Sequence, residues 1–277
     1  MKMNVKQIRD KIEQIDSIPT IPVVVRKLLK TVDSPSISLG EIGDIITKDQ
    51  ALTAKLLKMV NSPIYGFPGR ISSVSQTLIL LGLNVVKGML LSISVFEMME
   101  KTMVGLWEHS LCTALAARAI AIKKDLKDPE EIMVSALLHD IGKVALRIKF
   151  PEEYETALSE SEKKGKLIRE SEESVFSISH AEAGGWLTEK WFFPRSLIEP
   201  IAYHHRPILS KQVPQRTAIV HVADILVRAR GVGFGGDNLV PPVNTKVWED
   251  LSLSKSDIRD IMIVIDDTAS DAEGILL

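Results

Sequence analysis

The sequence contains one cysteine, Cys112, in 277 residues. A single thiol cannot close a disulfide within the chain, which argues against a bridged extracellular scaffold and suits a reducing cytoplasm. Cys112 itself reads as a small core residue on a helix. An excess of charge is also missing: 34 Lys and Arg stand against 36 Asp and Glu, a formal net charge of -2. That balance makes no whole-molecule case for binding a phosphate backbone, although a local basic patch stays open, and nucleic acid is not expected as a partner. The first residues, "MKMNVKQIRDKIEQI", lack an uninterrupted apolar stretch, so no signal peptide is expected. Nothing alternates with a period of two, which leaves no convincing strand.

Long apolar runs are scarce, and the one that exists needs a decision. From Ile71 to Phe96 the only charge is Lys87, over a length that could cross a bilayer. Ser72, Ser73, Ser75, Gln76, Thr77, Asn84, Ser92 and Ser94 interrupt it, and so many polar groups would be costly in lipid. A buried central helix is therefore expected, and no membrane.

What is present reads as helix almost throughout. Val5, Ile8, Ile12 and Ile15 form one stripe at helical spacing. Ser38 and Glu41 make a capping box for a helix with Leu39, Ile42, Ile45 and Ile46. Asp49 caps a second helix with Leu52, Leu56, Leu57 and Val60. "NSPIYGFPGR" is a loop, and Ser73 with Gln76 opens the long apolar helix. Further helices fit Leu106 to Lys123, Pro129 to Arg147, His180 to Trp191, a segment ending at His205, and Gln215 to Arg230. Pro200 predicts a start or kink in the segment before His205. From Val243 one or two short helices are expected, with Ser254 and Asp257 as a cap. At 45% hydrophobic and 25% charged residues the chain can bury a sizeable core.

Two features invite readings that their context opposes. "GVGFGG" places Gly231, Gly233 and Gly236 in G-x-G-x-x-G spacing. A dinucleotide fingerprint needs a strand before and a helix directly after. Here a helix precedes and "DNLVPP" follows, so a flexible loop is expected. Helix, turn and helix between Leu39 and Val60, with Lys48, Lys55 and Lys58 nearby, suggest a DNA-binding unit. Its second helix opens on Asp49, which would face phosphate, so a helix-turn-helix regulator remains a minor alternative.

The histidines carry the chemistry. All six, His109, His139, His180, His204, His205 and His221, lie between Glu108 and Asp224 on apolar helical segments. His109 shares a face with the small residues Cys112, Thr113 and Ala116. His139 and Asp140 are adjacent within "SALLHDIGKVAL", and Lys143 follows one turn later. His180 sits just inside a helix start capped by Ser179 and Glu182, and Asp224 lies one turn after His221. Imidazoles and carboxylates gathered from several helices suit divalent metal, whose charge makes their burial tolerable. The set is too large for one ion, so two ions sharing Asp140 are expected. Adjacent residues diverge by about 100° on a helix, so His204 and His205 can bind one ion only if the helix end unwinds; otherwise one of them supports the other. With no thiolate pair, Fe, Mn, Mg, Ni and Zn all remain open. His221 reads as a helix histidine bonded to a neighbour.

"LLHDIGK", with His upstream and His, His-His and Asp downstream, resembles the HD superfamily of metal-dependent phosphohydrolases. "IPTIP", "IITKDQALTAKLLKMVNSPIYG", "ISSVSQTLILLG", "WEHSLCTALAARAIA" and "HAEAGGWLTEKWFFPRSLIEPIAYHHRP" are similar to the HDOD family, the HD-related output domains of bacterial signalling. The resemblance spans Ser17 to Arg230. It implies an all-α fold, with an N-terminal helical part over residues 1–100 packed on an HD-type metal-binding bundle over 101–230. A loop and short helices would follow over 231–277. It implies that His109, His139, Asp140 and Asp224 hold one ion, and that Asp140, His180, His204 and His205 hold the second. Lys143 matches a lysine associated with phosphate in the family, and the alternative is a solvated helix-face charge.

Two functional readings follow. In one, the chain is a cytoplasmic HDOD-type signalling protein whose metal braces the bundle while a surface engages a signalling protein partner. In the other it is a metal-dependent phosphohydrolase acting on a phosphoester or nucleotide, with Asp140 and Lys143 in its machinery. No receiver, GGDEF-like or kinase region is visible in the sequence. HD-GYP relatives follow their His-His pair with an acidic residue and a Gly-Tyr-Pro loop. Here "RPILSKQVPQRTAIVHVADIL" follows, so efficient hydrolysis of cyclic di-GMP is not expected.

Overall fold

The structure, a computed structural model, describes residues 4–15, 22–31, 38–62 and 71–271. All but the last residue of "IPTIP", and residues 63–70 of "NSPIYGFPGR", lie outside them. The fold is all-α: no strand occurs among the described residues.

The chain opens with α1 (Val5–Glu13), α2 (Val23–Thr31), α3 (Leu39–Thr47), α4 (Gln50–Val60) and α5 (Val74–Thr102). The caps are those the sequence announces. Ser38 and Glu41 form a reciprocal capping box, Asp49 accepts the Leu52 N–H at 3.0 Å, and Ser73 accepts that of Gln76 at 3.1 Å. On α1, Ile8 and Ile12 are buried, and this helix packs on the later bundle.

The long apolar segment is not one straight helix. Gly82, at φ +77°, breaks α5 in two. Ser75 and Leu78, before the break, lie beside Gly43 of α3, whereas Gly88, after it, lies against Val134 in the bundle. From Val85 to Val95 every side chain is buried, Lys87 included. Its Nζ sits 4.9 Å from the centre of the Phe193 ring. This stretch packs as an interior helix.

The bundle comprises α6 (Leu106–Lys123), α7 (Pro129–Leu137), α8 (Ile141–Lys149), α9 (Pro151–Lys164), α10 (Ile168–Phe176), α11 (His180–Lys190), α12 (Arg195–Tyr203) and α13 (Pro214–Arg230), followed by α14 (Thr245–Leu251) and α15 (Lys255–Asp271). At its centre, α6 packs against α7, α13 and α15, and α11 lies between α8 and α12. Gly142 makes the α8–α11 contact feasible, because a Cβ there would stand 1.9 Å from the His180 carbonyl oxygen.

Four local expectations change. The single helix from Pro129 to Arg147 is two, α7 and α8, separated at Leu138–Asp140. α9 and α10 were not foreseen, because their mostly polar sequence shows no clear apolar stripe, although Pro151 and Gly165 mark the ends of α9. Pro200 lies inside α12 and does not start it. The last helix, α15, has 17 residues and is not short; it packs back on α6, and Ser254 with Asp257 caps it as expected.

Candidate metal centre

Five segments deliver the predicted residues to one place. His109 comes from the first turn of α6, His139 and Asp140 from the α7–α8 break, and His180 from the first residue of α11. His204 and His205 follow the end of α12, and Asp224 comes from the middle of α13. The break between α7 and α8 has a chemical use. In a continuous helix His139 and Asp140 would point about 100° apart, and leaving the helix lets both face inward. The same holds at His204 and His205, which lie in the turn after α12 with ring centres 4.0 Å apart.

Asp140 is the hub. Its Oδ1 lies 3.1 Å from His180 Nε2 and 4.0 Å from His204 Nε2, and its Oδ2 lies 3.3 Å from His139 Nε2 and 3.6 Å from His109 Nε2. Asp224 Oδ1 lies 3.2 Å from His109 Nε2 and 3.9 Å from His139 Nε2. His180 Nε2 is 3.3 Å from His204 Nε2 and 2.9 Å from His205 Nε2. Three subsets have ligand atoms close enough to share an ion: His109, His139 and Asp224; His139, Asp140 and His204; and His180, His204 and His205. Of the predicted ligands only His205 is more than 2% exposed.

The ring protons show why this set suits a cation. His139 Nδ1 is 2.6 Å from the Ala136 carbonyl, His204 Nδ1 is 2.8 Å from that of Ile201, and His180 Nδ1 is 2.6 Å from Glu172 Oε2. Each acceptor takes an Nδ1 proton, which turns an Nε2 lone pair toward the others. His139 Nε2, Asp140 Oδ1 and Asp224 Oδ2 are buried without a hydrogen bond. A proton on His180 can answer one of these contacts but not all, whereas a divalent cation meets several donors together.

The electrostatics agree in direction. Burial opposes the Asp140 charge, but His139, Lys143 and His180 outweigh it and hold the carboxyl well below the usual carboxylate range. Asp224 is likewise held low, against burial, by His109 and His139. Burial pushes His109, His204 and His205 down, which keeps them neutral. Burial also opposes charge on His180, yet Glu172 and Asp140 raise it overall.

Two predicted residues take definite places. Lys143 is buried and not a solvated surface charge; its Nζ donates to Asp140 Oδ2 at 2.6 Å. His221 donates from Nδ1 to the His204 carbonyl at 2.6 Å and accepts the Asn244 N–H on Nε2 at 3.0 Å, so it ties the segment before α14 to the site. Sequence reasoning missed Glu172 entirely. It sits on α10, accepts the His180 backbone N–H at 2.8 Å as well as the ring, and accepts the Tyr154 hydroxyl at 3.2 Å. No local pattern in "RESEESVF" separates it from its neighbours. The glycine segment was misjudged in part: it is a loop, but one pinned against the site, with the Phe234 N–H donating to the Gly105 carbonyl at 2.9 Å.

A sequence model of the HDOD domain matches residues 18–207, most of the chain. The chain belongs to the HDOD domain family. An HDOD domain protein of unknown function from Geobacter sulfurreducens has a similar structure, with a TM-score of 0.73 at 24% identity, covering 99% of this chain and 100% of that one. A Marinobacter aquaeolei VT8 protein provisionally named for signal transduction gives 0.72 at 17% identity, over 99% of this chain and 66% of the other. A Shewanella amazonensis SB2B protein provisionally named a phosphohydrolase gives 0.63 at 19%, over 96% and 93%. At these identities the likeness establishes the HDOD fold. An uncharacterized protein of Treponema pallidum (strain Nichols) is 26% identical over 222 residues, 78% of this chain. The match spans only 43% of that relative's length.

Proposed function

We propose that this HDOD chain is a cytoplasmic regulatory protein of bacterial signalling that binds divalent metal at an HD-type centre, with two ions sharing Asp140. The observation that supports this most is the inward convergence of imidazole nitrogens on two buried carboxylates that keep unbonded oxygens. His109, His139, Asp140 and Asp224 would hold one ion, and Asp140, His180, His204 and His205 the other. Bound metal supplies positive charge to these carboxylates and can polarise a phosphoryl oxygen. The chain's own part is orientation: Ala136, Ile201 and Glu172 aim three rings by accepting their Nδ1 protons. The name of the Marinobacter protein favours a regulatory role, in which another signalling protein docks on the bundle.

A second reading, a phosphohydrolase, rests on Lys143. Its ammonium is held at Asp140 inside the centre, where it can stabilise charge on a phosphate. Elemental analysis of protein purified without added metal tests the metal reading. Up to two ions per chain are expected, and His139→Ala with Asp140→Ala should abolish them. Native protein with no metal and no uptake on titration would overturn it. Metal-dependent turnover in a phosphoester screen would decide for the enzyme.

A further inference from the structure

His221 lies on α13, one turn before Asp224, yet neither of its nitrogens is free for a metal. Nδ1 faces the His204 carbonyl at 2.6 Å, and Nε2 faces the Asn244 N–H at 3.0 Å. A carbonyl only accepts and a backbone N–H only donates, so the ring is neutral with its proton on Nδ1. Burial pushes His221 in the same direction. One tautomer therefore uses both contacts, which leaves His221 outside the ligand set but bonded to one of its members.

The His204 carbonyl is where that bond matters. His204 and His205 can face one ion only because they follow α12 rather than continue it, and carbonyls at a helix end lack an intrahelical donor. His221 supplies a donor from a different helix. His204 is then held at two points, its ring by the Ile201 carbonyl at 2.8 Å and its backbone by His221.

The other nitrogen reaches the end of the chain. Asn244 is the N-cap of α14, and its side chain accepts the Val247 N–H at 3.1 Å. Beyond it α15 packs on α6, where Lys123 pairs with Asp260 at 2.7 Å, and Asp266 of α15 pairs with Arg230 of α13. α14 and α15 thus rest on the two helices that deliver His109 and Asp224, and through Asn244 and His221 they also reach His204. Without the Asn244 N–H the imidazole keeps a single anchor and can turn its Nδ1 off the carbonyl.

We propose that His221 is a positioning residue of the metal centre: it holds the turn in which His204 and His205 face a common ion, and through Asn244 it makes that hold depend on how the 244–271 segment is seated. The proposal rests on the metal reading, and neither His221 nor Asn244 is a ligand in it, so the two can fail separately.

The test titrates Mn²⁺ into full-length protein by calorimetry, with circular dichroism checking that helix content is kept. His221→Phe keeps a ring and removes both nitrogens. The affinity of at least one ion should fall about tenfold, the lower end of what loss of an outer-shell partner costs. His221→Asn restores an N–H as many bonds from the backbone as Nδ1, and should recover most of that loss. Asn244→Pro deletes the backbone N–H at φ −68°, a value that proline adopts without strain, whereas Asn244→Ala deletes only the cap. Asn244→Pro should weaken the same ion about threefold beyond Asn244→Ala, within the range for residues that act on a site without touching its ligand. Unaltered affinity in His221→Phe overturns the positioning role. A loss that His221→Asn leaves in place overturns it too, because packing alone would then explain the residue. Equal affinity in Asn244→Pro and Asn244→Ala overturns the link to the C-terminal segment, and this pair decides if His221→Phe does not fold. No metal uptake by the unaltered protein sinks the metal reading first and this proposal with it.

Discussion

Glu172 Oε2 lies 2.6 Å from His180 Nδ1 and 2.8 Å from the backbone N–H of the same residue, so one buried carboxylate fixes both the position and the tautomer of one imidazole. Glu172 is fully buried, and the Tyr154 hydroxyl occupies its other oxygen. Such a group is not a ligand, but it sets the basicity and aim of one.

Glu172→Gln keeps the shape and removes the charge. Metal affinity should fall about 10- to 100-fold, the usual cost of losing such a supporting carboxylate, while the helical circular dichroism stays unchanged. Calorimetric metal titration measures it. Unaltered affinity would mean that packing alone orients His180.

Lys143 presents the opposite case, a buried cation at 2.6 Å from the hub carboxylate. Lys143→Met removes the charge at similar volume. In chelator the variant should be about 3 kcal/mol less stable, since it leaves Asp140 buried without its ammonium. Saturating metal should narrow the gap to the unaltered protein, because the cation then supplies Asp140 with the charge that Lys143 no longer does. Urea unfolding with and without metal gives both numbers. Equal stability in chelator would mean that the histidines alone balance Asp140.

A pH effect should arise away from the centre, at Glu199. Its Oε2 accepts the Ser210 hydroxyl at 2.6 Å and the N–H groups of Lys211, Gln212 and Val213 at 3.0, 3.0 and 3.3 Å. Burial opposes the charge, but these donors outweigh it and hold the carboxyl below its ordinary value. The resulting stability is fully present above the unfolded value of about 4.3 and is lost as pH falls through the lower folded value. Glu199→Gln should cost about 1–3 kcal/mol at pH 7. The gap to the unaltered protein should narrow as pH drops below about 4. A gap that stays constant to pH 3 would exclude Glu199 as the acid-sensitive group.

How much of this was legible in one dimension follows from the range of the forces involved. Caps such as Ser38–Glu41, Asp49–Leu52 and Ser254–Asp257 span three residues, so neighbours in sequence suffice to place them. The histidines and aspartates could be named because buried imidazole and carboxylate need partners wherever the chain puts them, and six histidines crowded into one apolar span were already a demand for charge. The break between α7 and α8 was hidden, since the periodicity of "SALLHDIGKVAL" continues through it and no Pro or capping side chain marks Leu138–Asp140. Glu172 and the glycine loop were hidden for a stronger reason. Glu172 gains its role from the packing of α9, α10 and α11 around it. "GVGFGG" gains its place from Gly105 and Ile168, far away in sequence, which fasten it above His109 and Lys143. Contacts of that kind cross the core between distant segments and leave no spacing for a pattern to show.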